Sequence, residues 1–96
     1  MTPFTLDLDG SRLLLTLSGE ITIEHAQALT EALRARLTHE ITLAVDATRL
    51  ARFDAAILQV LLAAAQKAGD TQLAASSPAW AAAFSRYASP DPFGTN

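Results

Sequence analysis

Apolar residues in this chain switch repeatedly between a spacing of two and a helical spacing, and that switching restricts the fold more than any other feature. Phe4, Leu6 and Leu8 alternate with Thr5, Asp7 and Asp9, which predicts a half-buried strand. Asp9-Gly10 is a hairpin-turn dipeptide, because Gly takes a positive φ at no steric cost. Leu13, Leu15 and Leu17 then face one way, with Leu14, Thr16 and Ser18 opposite, so the two strands form an antiparallel hairpin. Gly19-Glu20 breaks the alternation, Thr22 stands at an N-cap position, and Ala26, Leu29, Leu33 and Leu37 recur at helical spacing. Ile41, Leu43 and Val45 alternate again as a third strand, followed by a stretch from Ala47 to Arg52 that reads as irregular.

Asp54 is the natural N-cap of a second helix, with Phe53 and Leu58 at the two positions of a hydrophobic staple. Ile57, Leu58, Leu61, Leu62, Ala64, Ala65 and Ala68 share one arc of that helix. Ala55, Ala56, Gln59, Ala63, Gln66 and Lys67 share the other, with Val60 on its margin. Gly69 marks the helix stop, Gln72 to Ala75 a short fourth strand, and Ser77-Pro78 the cap of a third helix striped by Trp80, Phe84 and Tyr87. The tail from Ser89 to Asn96 is aperiodic and reads as loose.

The order β-β-α-β-α-β-α makes the last three strands parallel, since helices join them. Those strands alternate instead of being apolar on both sides, so the helices are expected mainly on one sheet face. The expected fold is therefore α/β, a four-stranded mixed sheet with about three helices, in one domain spanning residues 1–96.

Composition closes several functional classes. The chain has no Cys, which removes disulfides, thiolate metal sites and cysteine nucleophiles. A net charge of −3 argues against a nucleic-acid footprint, which needs clustered Lys and Arg. No apolar run approaches the ~20 residues of a membrane span, and the start of the chain lacks a secretory signal pattern, so the expected location is cytoplasmic. His25 and His39 lack the spacing of a metal pair, and no cofactor motif, Walker loop or nucleophile elbow is present. The reading is a binding module without catalysis. A ligand-sensing domain is the rival; it would need an apolar pocket between sheet and helices.

Gly19-Glu20-Ile21 after a strand, Val45-Asp46, and Asp54-Ala55-Ala56 opening a helix together resemble the STAS family, small regulatory domains that include antagonists of anti-sigma factors. The resemblance runs from about Phe4 to Ala88. The family's central segment commonly reads as a strand ending in Asp, a loop, then Asp-Ser-Ser-Gly or Asp-Thr-Ala-Gly, then Leu. Asp46 and Asp54 match the acids and Leu58 the leucine; Ala55 and Ala56 stand at the hydroxyl positions and Ile57 at the glycine. The resemblance implies that Ala56 occupies the place of the phosphorylated residue, without an acceptor oxygen. Ile57 is expected to put bulk where relatives keep the helix start open.

Partners implied by the resemblance are an anti-sigma factor or its serine kinase, a chemotaxis component (the Leu58-Gln59 pair is similar to such members), or the ATPase of a lipid-transport ABC system. A homodimer is left open. The expected contact residues are Arg49, Leu50, Arg52, Phe53, Asp54, Ala55, Ala56, Ile57, Gln59, Val60, Ala63 and Gln66. Arg49 and Arg52 would pair with a partner's acids. The outer arc, nearly free of charge, would let another backbone approach at little desolvation cost.

Overall fold

Leu13, Leu15 and Leu17 are all fully buried on one face of a ten-residue strand, and the rest of the molecule is laid down on that row. The structure is a computed structural model that describes residues 3–93. It comprises β1 (Phe4–Asp9), β2 (Arg12–Ile21), α1 (Ile23–Arg36), β3 (Thr42–Phe53), α2 (Ala55–Lys67), β4 (Asp70–Ala75) and α3 (Pro78–Arg86). The sheet order is β1-β2-β3-β4, with β1 antiparallel to β2 and the remaining pairs parallel. The hairpin closes through Gly10 and Ser11 between the paired residues Asp9 and Arg12, and Gly10 takes the positive φ (62°) that its position requires.

A single buried cluster joins the leucines of β2 and β3 to Leu29 and Leu33 of α1 and Leu37 at its end, to Ile57, Leu58 and Leu61 of α2, and to Trp80 and Phe84 of α3. Ala44 is also fully buried but stands outside that cluster, on the face without helices. There Arg12 Nε donates to Gln72 Oε1 at 3.2 Å, reaching across β3. The helices thus lie mainly on one face, and the alternation of the parallel strands follows directly.

The stretch from Ala47 to Arg52, expected to be irregular, is the second half of β3. Ser18 lies two residues beyond Thr16, whereas its partner Arg49 lies three beyond Asp46; Glu20 follows Gly19 directly, whereas Arg52 lies two beyond Leu50. Each slip inserts one extra residue into β3, a bulge that resets which face a side chain meets. Burial consequently falls on Ala47, Leu50 and Phe53, at intervals of three, and period two is lost although the strand continues. Likewise β2 runs on through Gly19, at φ 66°, to Ile21.

Two local expectations change. Gly69 follows α2 without a left-handed φ; its amide donates to Ile41 O at 2.8 Å, and a Cβ there would sit 1.9 Å from His39 O, so close approach demands the glycine. Ser77 precedes α3, but its hydroxyl is buried without a hydrogen-bond partner and makes no cap bond.

The tail beyond Ser89 is not loose as far as Phe93; residues 94–96 lie outside those described. Ala88 turns the chain at φ 52°, Trp80 Nε1 donates to Asp91 Oδ2 at 2.6 Å, and Thr71 Oγ1 donates to Pro92 O at 2.7 Å. Phe93 is buried and meets Trp80 edge-on at 5.8 Å. Pro and Gly made this segment look like a free end, whereas its one aromatic completes the cluster of Phe53, Trp80 and Phe84. Phe93→Ala is expected to lower the unfolding free energy by about 3 kcal/mol in urea titration. The emission of Trp80, the sole tryptophan, should shift to the red. A free tail would leave both unchanged.

Candidate functional site

Strands β2 and β3 end level, with Ile21 paired to Phe53, and each passes through one residue into a helix. Thr22 and Asp54 are therefore adjacent N-caps, and the N-termini of α1 and α2 lie side by side at one end of the sheet. Asp54 N–H donates to Ile21 O at 3.3 Å, tying the two caps through the backbone.

The Asp54 carboxylate serves both helices. Oδ1 accepts from the Ile57 amide at 3.2 Å within α2, and Oδ2 accepts from the Ile23 amide of α1 at 2.8 Å. The first amides of any helix lack internal partners and carry partial positive charge. One carboxylate thus satisfies donors on two helices and offsets both dipoles. Thr22 is held separately, its N–H donating to His25 Nδ1 at 3.1 Å while its carbonyl accepts the His25 amide at 2.8 Å.

The expected contact residues, which run from this junction along α2 to Gln66 in its last turn, divide by exposure. Arg49, Arg52, Ala55, Gln59, Ala63 and Gln66 are exposed, while Asp54, Ala56 and Val60 are half-buried. Leu50, Phe53 and Ile57 are core residues, 5%, 1% and 0% exposed, and support the surface from beneath instead of meeting a partner. The bulges turn Leu50 and Phe53 inward. Ile57 points inward because it shares the buried arc with Leu58 and Leu61, so its bulk does not obstruct the helix start.

Ile23 was not among the expected residues. It is the first residue of α1, bonded to Asp54, and it is 70% exposed. The clue in the sequence is an isoleucine directly after the Thr22 cap, rotated off the leucine stripe. It adds an exposed apolar side chain to the start of α1, next to the cap that opens α2.

Two recesses flank α2. One, about 120 Å³, lies between α1 and α2 and is lined by Leu33, Arg34, Leu37, Val60, Ala63 and Lys67 among others. The other, about 370 Å³, lies between α2, β4 and the tail, against Leu62, Gln66, Thr71 and Pro90. The first lies between two helices and the second at the sheet edge beside β4, while buried leucines fill the space between the central strands and the helices. Among the described residues no group of His, Asp and Glu is arranged to hold a metal ion, and no helix is long and apolar enough to cross a membrane.

A family profile described as "Mlab, STAS domain" matches residues 4–88, nearly the whole chain. The protein belongs to the STAS domain family. No curated protein matches it significantly. Solved structures with this fold include an anti-sigma factor antagonist from Mycobacterium paratuberculosis, at TM-score 0.73 and 21% identity over 88% of this chain and 76% of that one. The anti-sigma factor antagonist SpoIIAA in its unphosphorylated form superposes at TM-score 0.67 and 16% identity, covering 97% of this STAS chain and 87% of its own. Mglu gives TM-score 0.55 and 24% identity over 65% of this chain, which spans only 16% of Mglu. At these identities the likeness is one of fold.

The other matched acid, Asp46, works within the first bulge of β3. Its Oδ1 accepts from the Thr48 amide at 3.0 Å and from Thr48 Oγ1 at 2.7 Å. These bonds, first the amide and then the hydroxyl, with Arg49 adding a smaller attraction, hold the Asp46 carboxyl below its ordinary pKa. A depressed folded-state pKa stabilises the protein above the unfolded value and stops doing so as pH falls through the lower folded value. Asp46→Ala should therefore cost up to about 1 kcal/mol near neutral pH. The gap between variant and parent should close as pH falls through and below the ordinary carboxylate range. A gap independent of pH would show that the charge plays no part.

Proposed function

We propose that this STAS domain is a non-catalytic regulatory module that binds a protein partner through the junction of α1 and α2, without the serine switch of its relatives. The observation that carries this reading is the start of α2. The helix opens on Asp54 with exposed Ala55 and half-buried Ala56, so its first turn reaches the surface yet offers no hydroxyl to phosphorylate. Ile23, Ala55, Ala56, Gln59, Ala63 and Gln66 form the contact face, Val60 lies at its edge, Asp54 holds it, and Arg49 and Arg52 meet acids on the partner. Ala and Ile lose little hydration on burial, and the Gln amides can pair with the backbone of a docked helix or strand end. The partner class is the signalling one suggested by the anti-sigma factor antagonists of the same fold, an anti-sigma factor with its kinase or a chemotaxis component, and the setting is the cytoplasm. A second reading, a subunit beside the ATPase of a lipid-transport ABC system, is favoured by the Mlab description of the matching family profile.

Photo-crosslinking in the native cell distinguishes these readings. A crosslinker at Gln59 or Ala63 should capture one protein, identified by mass spectrometry as signalling component or ATPase, whereas one at Gln72 on the opposite sheet face should not. Ala56→Asp is expected to cut that yield at least tenfold, because an unpaired carboxylate in a docked apolar patch costs several kcal/mol. Fold stability should change by less than about 1 kcal/mol at this partly exposed site. Capture from Gln72 alone, or undiminished capture by the Ala56→Asp protein, would place the interface elsewhere.

A further inference from the structure

The outer edge of β1 carries unused bonding capacity of a particular pattern. β1 is the terminal strand of the sheet, and Ser18 N–H donates to Pro3 O at 2.8 Å. In an antiparallel ladder every second residue turns its backbone groups to the same neighbour. Thr5, Asp7 and Asp9 therefore face β2, in keeping with the two-residue turn closed by Asp9 and Arg12. Phe4, Leu6 and Leu8 direct N–H and C=O to the open side, where no described strand receives them. Their side chains form the helix-side row of the same edge and are incompletely covered: Phe4 and Leu6 are half-buried, and Leu8 is 49% exposed.

We propose that this edge pairs antiparallel with the same edge of a second copy of the chain, about a two-fold axis through Leu6. In that register Phe4 faces the partner's Leu8, Leu6 faces the partner's Leu6, and Leu8 faces the partner's Phe4. All three are pairs of outward-turned residues, so each exchanges two hydrogen bonds, and the half-covered apolar rows merge on one face. On the other face Thr5 meets the partner's Asp7, and no like charges are opposed. A slip that centres the pair on Asp7 sets two carboxylates opposite each other at the closer spacing of about 4.5 Å, which is destabilising. A slip toward Thr5 leaves Leu8 beyond Phe4. A slip that sets outward-turned residues against inward-turned ones loses the ladder bonds altogether. Exposed acids on edge strands commonly prevent pairing; here Asp7 and Asp9 obstruct one register and leave another open. The edge lies two strands from β3, which carries the motif, so both surfaces can be engaged together.

The chain has no cysteine, which makes the register directly testable. Sedimentation velocity across the micromolar range should show a monomer–dimer equilibrium, and Leu8→Lys should weaken it at least tenfold with an unchanged circular dichroism spectrum. Thr5 and the partner's Asp7 form a pair of about 4.5 Å between Cα atoms, within reach of a disulfide. Mixing Thr5→Cys protein with Asp7→Cys protein under mild oxidation should give the mixed disulfide much faster than either variant crosslinks to itself. Monomer at every concentration with no mixed disulfide would overturn the proposal. So would preferential self-crosslinking of the Asp7→Cys protein, or a dimer indifferent to Leu8→Lys that forms no mixed disulfide.

Discussion

The carboxylate of Asp54 is shared between the N-termini of two helices, and most of the candidate site depends on that sharing. Its oxygens reach Ile57 of α2 at 3.2 Å and Ile23 of α1 at 2.8 Å. The first four amides of a helix lack internal partners, and this acid accepts from one of them in each of the two helices. With one acid between them, the two helices can begin side by side and present a joint surface. Ala55, Ala56 and Ile23 lie on that surface because the acid fixes where both helices start. The half charges of two dipoles also meet their counter-charge there, beside Glu24 in the first turn of α1.

Level strand ends are the condition for this arrangement, and β3 meets it only by carrying extra residues. The bulges after Asp46 and after Leu50 take up the two residues by which the paired segment of β3, Thr42 to Phe53, exceeds that of β2, Arg12 to Ile21. Asp46, bonded twice to Thr48, holds the first of them. Phe53 then arrives beside Ile21 and faces inward to Trp80 and Phe84, at ring separations of 5.8 and 5.7 Å. The aromatic cluster and the acid cap are consecutive residues, so packing of the one positions the other.

Much of this was legible in the sequence because it is local. The alternation of Leu13, Leu15 and Leu17, the leucine stripe of α1 and the cap at Asp54 each arise from neighbours within a few residues, and element order then set the sheet. What stayed hidden depends on partners distant in the chain. A bulge is defined by the facing strand, so Ala47 to Arg52 looked irregular, and Leu50 and Phe53 looked available to a partner when they are buried. The bond from Ile23 to Asp54 joins residues 31 apart. The docking of Phe93 depends on Trp80, and proline and glycine around it point locally to a free end. Ile57 was misplaced for a different reason. Comparison with a family motif treats the position as part of the helix start, whereas its own arc places it in the core.

The family match places this chain among STAS domains, and the start of α2 is where its proposed function lies. The proposal that the switch is missing rests on Ala55 and Ala56, which carry no hydroxyl beside the Asp54 carboxylate that bonds both helices. The direct test is amide hydrogen exchange by NMR on the parent protein and Asp54→Ala. If one carboxylate secures both helices, the amides of Ile23 and Ile57 should lose protection together, with those of the core strands, such as Leu15 and Val45, retaining theirs. Loss at Ile57 with Ile23 unaffected would show that Asp54 caps only its own helix, and the account of a shared junction would fail.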